Sequence, residues 1–303
     1  MYFTRLPDNT KPGFDEQLHF SKFKKNNIIF NAVSSYSHCD YHVGCLSFKT
    51  VLSGEEWYGI DNYRLAIRPG QFLILNDDQT YSCAIEKGEK TKVLSIFFKK
   101  EFASSVFQDI LHREEILLDN PIVIDSKTLE FFQTLNNIDS TLQIQLSNLI
   151  SSLNNNVYDS CMVDEQLVFL LQHLIQKNKS EIKRTKNVSA IKPNTRMEIY
   201  KRLCIAKDIL HSSYMDKPDL NAISKTACLS VPQLIRQFKY VFHATPHQYL
   251  LKIKLKRAIA LLKHSDKPIH QIAWSSGFEN VSAFCRAFKL EYGTQPNSFR
   301  KII

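Results

Sequence analysis

Between Ile28 and Phe98 the apolar residues fall in short runs, among them His42–Phe48, Tyr63–Ile67, Gln71–Asn76, Tyr81–Ile85 and Lys92–Phe98. Turn-forming stretches rich in Gly, Pro, Asn and Asp separate them. Short runs at near-regular spacing with such punctuation predict a β-barrel or sandwich. Beyond Lys99 the period changes to that of helices, over Glu101–His112, Ser140–Leu153 and Met162–Asn178. In the last of these Val163, Leu167, Leu170, Leu171 and Leu174 mark one apolar face. Lys179–Thr195 is polar, basic and without aromatics, which reads as a linker. From there to Ile303 the pattern is helical throughout.

In this helical C-terminal region a single unit occurs twice. Leu220, Ile223 and Ser224 correspond to Ile269, Ile272 and Ala273, and Cys228-Leu229 corresponds to Gly277-Phe278. After one extra residue in the second turn, Leu234, Arg236, Phe238 and Lys239 match Phe284, Arg286, Phe288 and Lys289, and Pro246 matches Pro296. Each copy predicts a short helix, a tight turn and a longer helix. Gly277 suits a helix-ending residue in the left-handed region, and Ser230 and Asn280 suit the N-caps of the longer helices. Phe284 and Phe288 bury one face while Arg286 and Lys289 point elsewhere. This is a helix-turn-helix with a cationic face free for a groove. Thr245-Pro246 opens a helix of about 19 residues between the copies, roughly 29 Å long. Tyr249, Ile253, Ala260 and Leu261 are among its expected apolar positions. Two motifs on such a rod fit successive major grooves.

Charge sharpens this picture. The chain carries +9 overall, but residues 181–303 hold 22 Lys and Arg against 8 Asp and Glu, a net +14, and residues 1–180 a net −5. That asymmetry points the C-terminal region at a polyanion. No apolar run approaches the roughly 20 residues of a membrane span, and the N-terminus lacks the apolar core of a secretory signal. Seven scattered cysteines without a C-x-x-C pair read as reduced thiols. A cytoplasmic location is expected.

The pattern Ser230-x3-Leu234-x-Arg236-x-Phe238-Lys239, Pro246-x2-Tyr249, Ala258-x2-Leu261-Leu262, Ile269-x2-Ile272-Ala273-x3-Gly277-Phe278-x3-Ser282-x-Phe284-x-Arg286-x-Phe288-Lys289-x3-Gly293-x2-Pro296 resembles the AraC/XylS family of bacterial transcription regulators over residues 196–303. Departures from the family pattern are Ser224, Cys228, His243 and Lys254, the last in place of the usual linker-helix arginine. More weakly, residues 65–82 resemble the strand–turn–strand signature of the family's cupin-like sensor domain, with Tyr81 at the usual late histidine position. The resemblance implies an α+β chain: a cupin-like β-domain over 1–125, a helical dimerisation segment over 126–180, a linker over 181–195 and the DNA-binding domain over 196–303. The two helix-turn-helix motifs then lie at about 220–242 and 269–291. It also implies double-stranded DNA and RNA polymerase as partners, a homodimer and a small-molecule effector.

On that reading Arg236 and Arg286 are base readers, because arginine donates two bonds to guanine. Lys239 and Lys289 touch phosphate. Pro232, Gln233, Ile235, Val281, Ser282, Ala283 and Cys285 complete the groove-facing set. Tyr36, His38, Trp57, Tyr58 and Tyr81 are the candidates for an effector pocket. His38, Cys39, His42 and Cys45 are all soft-metal ligands in type, but on a regular strand the two histidines share one face and the two cysteines the other. No metal site, cofactor or enzymatic activity is therefore expected. A cupin-type metal enzyme tethered to DNA, and a regulator whose N-terminal half only dimerises, are the alternatives.

Overall fold

The fold is that of a computed structural model, which describes residues 1–7, 21–23, 25–88, 90–111, 130–154, 160–216 and 218–302. It divides into two compact units, Met1–Arg184 and Thr185–Ile303.

The first unit holds two facing sheets. One has the strand order β1 (Tyr2–Phe3), β2 (Ile28–Ser34), β9 (Thr91–Phe97), β4 (Ser47–Ser53), β7 (Gln71–Leu75) and β10 (Asn136–Asn137). The other runs β3 (Ser37–Val43), β8 (Thr80–Ile85), β5 (Glu56–Ile60) and β6 (Tyr63–Ile67). All pairings are antiparallel except β1 with β2. Successive side chains of a strand alternate between faces. Ile29, Phe48, Leu94 and Ile96 accordingly point out of the larger sheet onto three helices, α1 (Lys100–Leu111), α2 (Ser140–Asn154) and α3 (Ser160–Arg184). Leu142, Leu146, Leu149 and Leu153 supply α2's contribution to that core, and Val163, Leu167, Leu170, Leu171 and Leu174 that of α3. The apolar face seen in the sequence is thus used up inside the unit.

Three expectations change. The run His42–Phe48 is split: β3 ends at Val43 and β4 begins at Ser47. Gly44 lies in the gap, where a Cβ would run into the Tyr81 ring. The helical segment expected from residue 126 starts at Ser140 among the described residues, since 130–139 form a loop and β10; residues 126–129 lie outside them. The stretch 181–195 carries structure as well. Helix α3 continues to Arg184, a 3-10 turn covers Thr185–Asn187, and the next helix begins at Pro193. Glu181 is buried beneath its bond from Arg184 (2.8 Å), so a polar sequence there pairs with itself instead of unravelling.

The second unit is all helical: α4 (Pro193–Ser212), α5 (Leu220–Thr226), α6 (Val231–Phe242), α7 (Pro246–His264), α8 (Ile269–Ser275), α9 (Val281–Tyr292) and α10 (Pro296–Ile302). Helix α7 has 19 residues and packs against α4, α6, α8, α9 and α10. Its buried stripe is Leu255, Ala258 and Leu262, with Tyr249, Ile253, Ala260 and Leu261 only half-buried. The expected stripe is rotated because α7 serves cores on two sides.

Candidate nucleic-acid interface

Each longer helix of the repeat is started by a side chain. Ser230 Oγ accepts from the Gln233 amide at 3.4 Å, and Asn280 Oδ1 from the Ala283 amide at 2.7 Å. Thr245 and Gln248 close a reciprocal capping box at the head of α7. The two tight turns share one hydrogen-bond pattern. Leu229 N–H donates to Ser224 and Cys228 N–H to Lys225; Phe278 N–H donates to Ala273 and Gly277 N–H to Trp274. Both are Schellman closures, whose penultimate residue must be left-handed. Cys228 has φ 51° and Gly277 φ 82°. The ends of the longer helices repeat this, with His243 at φ 56° and Gly293 at φ 75°.

The repeat reaches further than its sequence shows. Arg202 on α4 donates Nη1 to the Cys228 carbonyl at 2.9 Å, and Lys254 on α7 donates Nζ to the Gly277 carbonyl at 2.6 Å. A cation bound to the last carbonyls of a helix offsets the negative end of its dipole. Leu203, Ala206 and Leu210 follow Arg202 as buried residues at the spacing with which Leu255, Ala258 and Leu262 follow Lys254. Helix α4 therefore plays for the first motif the role that α7 plays for the second. The ring packing agrees. Phe238 meets Tyr249 edge-on with centroids 5.4 Å apart at 77°, and Phe288 meets Phe299 at 5.4 Å and 76°. Phe238–Phe242 and Phe288–Tyr292 are equally alike, at 4.6 and 4.8 Å.

This frame fixes what faces outward. On α6 Leu234, Gln237, Phe238 and Val241 are buried, while Pro232, Arg236 and Lys239 are exposed and Gln233 and Ile235 half-buried. On α9 Phe284 and Phe288 are buried, Ser282, Arg286 and Lys289 are exposed, and Val281, Ala283 and Cys285 are half-buried. The eleven residues singled out in the sequence thus lie on the outer or flanking surfaces of two matched helices. Tyr240 and Leu290, at equivalent places, are also exposed, 52% and 88%, and extend each surface by an apolar group. Burial pushes the Cys285 thiol above its ordinary pKa, so it presents a neutral group beside Arg286.

In the first unit the five candidate pocket residues do not converge. Tyr36, His38 and Trp57 line an outer groove with Arg64 and Glu86. Tyr58 is fully buried and donates its hydroxyl to Glu56 at 2.8 Å. Tyr81 and one side of His38 line a separate cavity between the sheets. A bulge in β3 between Cys39 and His42 breaks the strict alternation. It places Cys39 Sγ 3.3 Å from His42 Nδ1, on one side and not on opposite faces. Even so, among the described residues no group of three or more His, Cys, Asp or Glu is arranged to hold a metal ion. No helix there is long and apolar enough to cross a membrane.

Residues 223–302 match the family model of a helix-turn-helix domain. The chain is 35% identical over 97 residues to the Msm operon regulatory protein of Streptococcus mutans, covering 32% of this chain and 35% of that protein. It is 34% identical over 92 residues to the transcriptional activator RhaS of Escherichia fergusonii, covering 30% and 33% respectively. Residues 223–302, within the C-terminal unit, form an AraC-type helix-turn-helix domain. Among solved structures, the C-terminal domain of AraT, a response regulator from Geobacillus stearothermophilus, aligns at 25% identity with a TM-score of 0.32, over 34% of this chain and 85% of that one. The chain matches about a third of the length of these curated relatives. The AraC-type match covers the second motif and most of the first, and α4, with its Arg202 contact, stands before it.

Proposed function

We propose that this protein is a sequence-specific transcription regulator that reads two major-groove segments with α6 and α9. The observation that carries the reading is the matched pair of cationic surfaces: Arg236 and Lys239 stand on α6 as Arg286 and Lys289 stand on α9. An arginine and a lysine three residues apart on an exposed helix supply one base reader and one phosphate contact. The RhaS relative is by name an activator, and activation through contact with RNA polymerase is the corresponding mode here. The first unit senses an effector in its β-barrel and joins two copies of the chain. Its principal helical apolar face being buried against the sheet, dimerisation falls to the outer faces of α2 and α3, where Ile144, Met162 and Phe169 are exposed.

The test selects duplexes from a random pool with the full chain, then measures affinity for the winner over a salt series by fluorescence anisotropy. Enrichment of a defined motif, with binding that weakens steeply as counterion release predicts, is the expected result. Binding without sequence preference, or with no salt dependence, overturns the proposal.

A further inference from the structure

Lys49, in the middle of β4, turns away from the helices and into the space between the two sheets. It is 3% exposed. Its Nζ lies 3.5 Å from the centre of the Phe97 ring and 5.6 Å from that of Tyr81. Among the described residues no carboxylate comes within 4 Å of it. It borders a cavity of about 80 Å³ walled by Phe30, Phe97, Tyr81, Cys83 and Glu56. Burial lowers the Lys49 pKa, against the opposing influence of Cys83, Glu56, Cys45 and Cys39; a buried ammonium is costly unless something supplies an acceptor.

Glu56 does not supply it. Its Oε2 accepts the Tyr58 hydroxyl at 2.8 Å, and burial raises the pKa of this carboxyl, which favours the neutral acid. Burial likewise raises the pKa of the Tyr81 phenol, and the Cys83 thiol is raised first by its hydrogen bond with Cys39 and then by burial. An amine whose ammonium form burial disfavours, a carboxyl able to donate and a wall of aromatic rings suit a ligand that brings one negative charge on an otherwise apolar body.

We infer that the cavity between the sheets binds a compact apolar monocarboxylic acid, with Lys49 holding the carboxylate and the rings of Phe30 and Phe97 its hydrocarbon portion. The inference rests on the reading of the first unit as a sensor and names the chemical class it senses. A neutral polar ligand would leave the ammonium without its counter-charge.

The experiment titrates the full chain with phenylacetate and hexanoate, and with phenylacetamide and hexanamide as neutral matches of the same shape, by calorimetry. At least one acid should bind at least tenfold tighter than its amide. Lys49→Met, similar in length and uncharged, should abolish that preference; its circular dichroism and melting show that it is folded, and Lys49→Gln serves where the thioether disturbs packing. Equal binding of acids and amides, retention of the preference in the Lys49 variants, or no binding of either acid each overturns the inference. Duplex affinity measured on the same ligand-free samples keeps the two levels apart: its absence counts against the proposed function, and its presence beside a failed titration counts against the ligand class alone.

Discussion

Gly277 is the position where the second motif is most sensitive to a single added atom. Its φ of 82° is one that side chains rarely adopt, and a Cβ built there would lie 2.7 Å from the Tyr214 carbonyl oxygen and 3.3 Å from the Met215 Cα. Left-handed backbone costs a residue with a Cβ about 1–2 kcal/mol. Forcing an atom against a packed neighbour adds about 1–3 kcal/mol, and here both of these obstacles are backbone and cannot rotate aside. The stiffer unfolded chain returns about 0.4–1 kcal/mol. Gly277→Ala should therefore destabilise the C-terminal unit by about 2–4 kcal/mol. Gly293 provides the control, because its φ of 75° is similar while nothing lies within 4 Å of its Cβ position. Gly293→Ala should cost about 1 kcal/mol from backbone strain alone. The chain has two tryptophans, Trp57 in the first unit and Trp274 three residues before Gly277. Urea unfolding followed by Trp274 fluorescence in a Trp57→Phe background reports on the second motif directly. Equal losses for the two glycines would refute the claim that close approach to the Tyr214–Met215 backbone fixes this turn.

Three further outcomes follow from the same geometry. Arg286→Ala, at an exposed site opposite the buried Phe284 and Phe288, should leave the fold intact and cost about 1–3 kcal/mol on the selected duplex with relaxed preference at one base pair; an equal loss on random DNA would mark a phosphate contact instead. Cys228→Gly and His243→Gly each relieve a left-handed residue and should each raise stability by up to about 1 kcal/mol; unchanged urea midpoints would show that the strain is already offset locally. The Asp139 carboxyl is held below its ordinary pKa, first by the Leu142 amide at the head of α2 and then by His173 and Lys177. A depressed carboxyl stabilises above the unfolded pKa and loses that contribution as pH falls through the folded one. Asp139→Ala should hence cost about 1 kcal/mol near neutrality, and the gap between variant and parent should close in acid; a gap independent of pH would assign the cost to packing.

Strands β6 to β9 and helices α1 to α3 were legible because each pairs an unbroken period with clear turn residues at its ends. The same holds for the caps at Ser230, Thr245 and Asn280. The division of β3 from β4 was not, since Gly44 sits inside an apolar run and its reason, the Tyr81 ring, is 37 residues away. The bulge that brings Cys39 to His42 likewise leaves no mark on the alternation it breaks. In the candidate interface the outward residues could be read from the i, i+4 spacing of Phe284 and Phe288. Helix α4 as the first motif's counterpart of α7 could not, because what relates them is a side chain on a backbone carbonyl: Arg202 on Cys228, Lys254 on Gly277. Such a contact needs only a cation of suitable reach, and so carries no fixed residue type. Lys49 illustrates the converse. A lysine inside a strand reads as a solvent-facing position, and only the second sheet shows that it faces inward.

The two motifs share their frame but not the surface between the cations. The edge-on ring pair repeats to within about a degree, and the cation on the turn carbonyl to within a few tenths of an ångström. Arg236 and Lys239 repeat as Arg286 and Lys289. Between and before them, however, Pro232, Gln233 and Ile235 stand where the second copy has Ser282, Ala283 and Cys285. Gln233 can form paired bonds to adenine and Ile235 can meet a thymine methyl, whereas Ala283 and Cys285 offer only small, weakly polar contacts. On the proposed function, phosphate anchoring would be alike in both grooves and base preference would not. If α6 and α9 read DNA as proposed, the binding site is asymmetric: the half read by α6 is specified at more positions than the half read by α9, although the two helices are held by the same architecture.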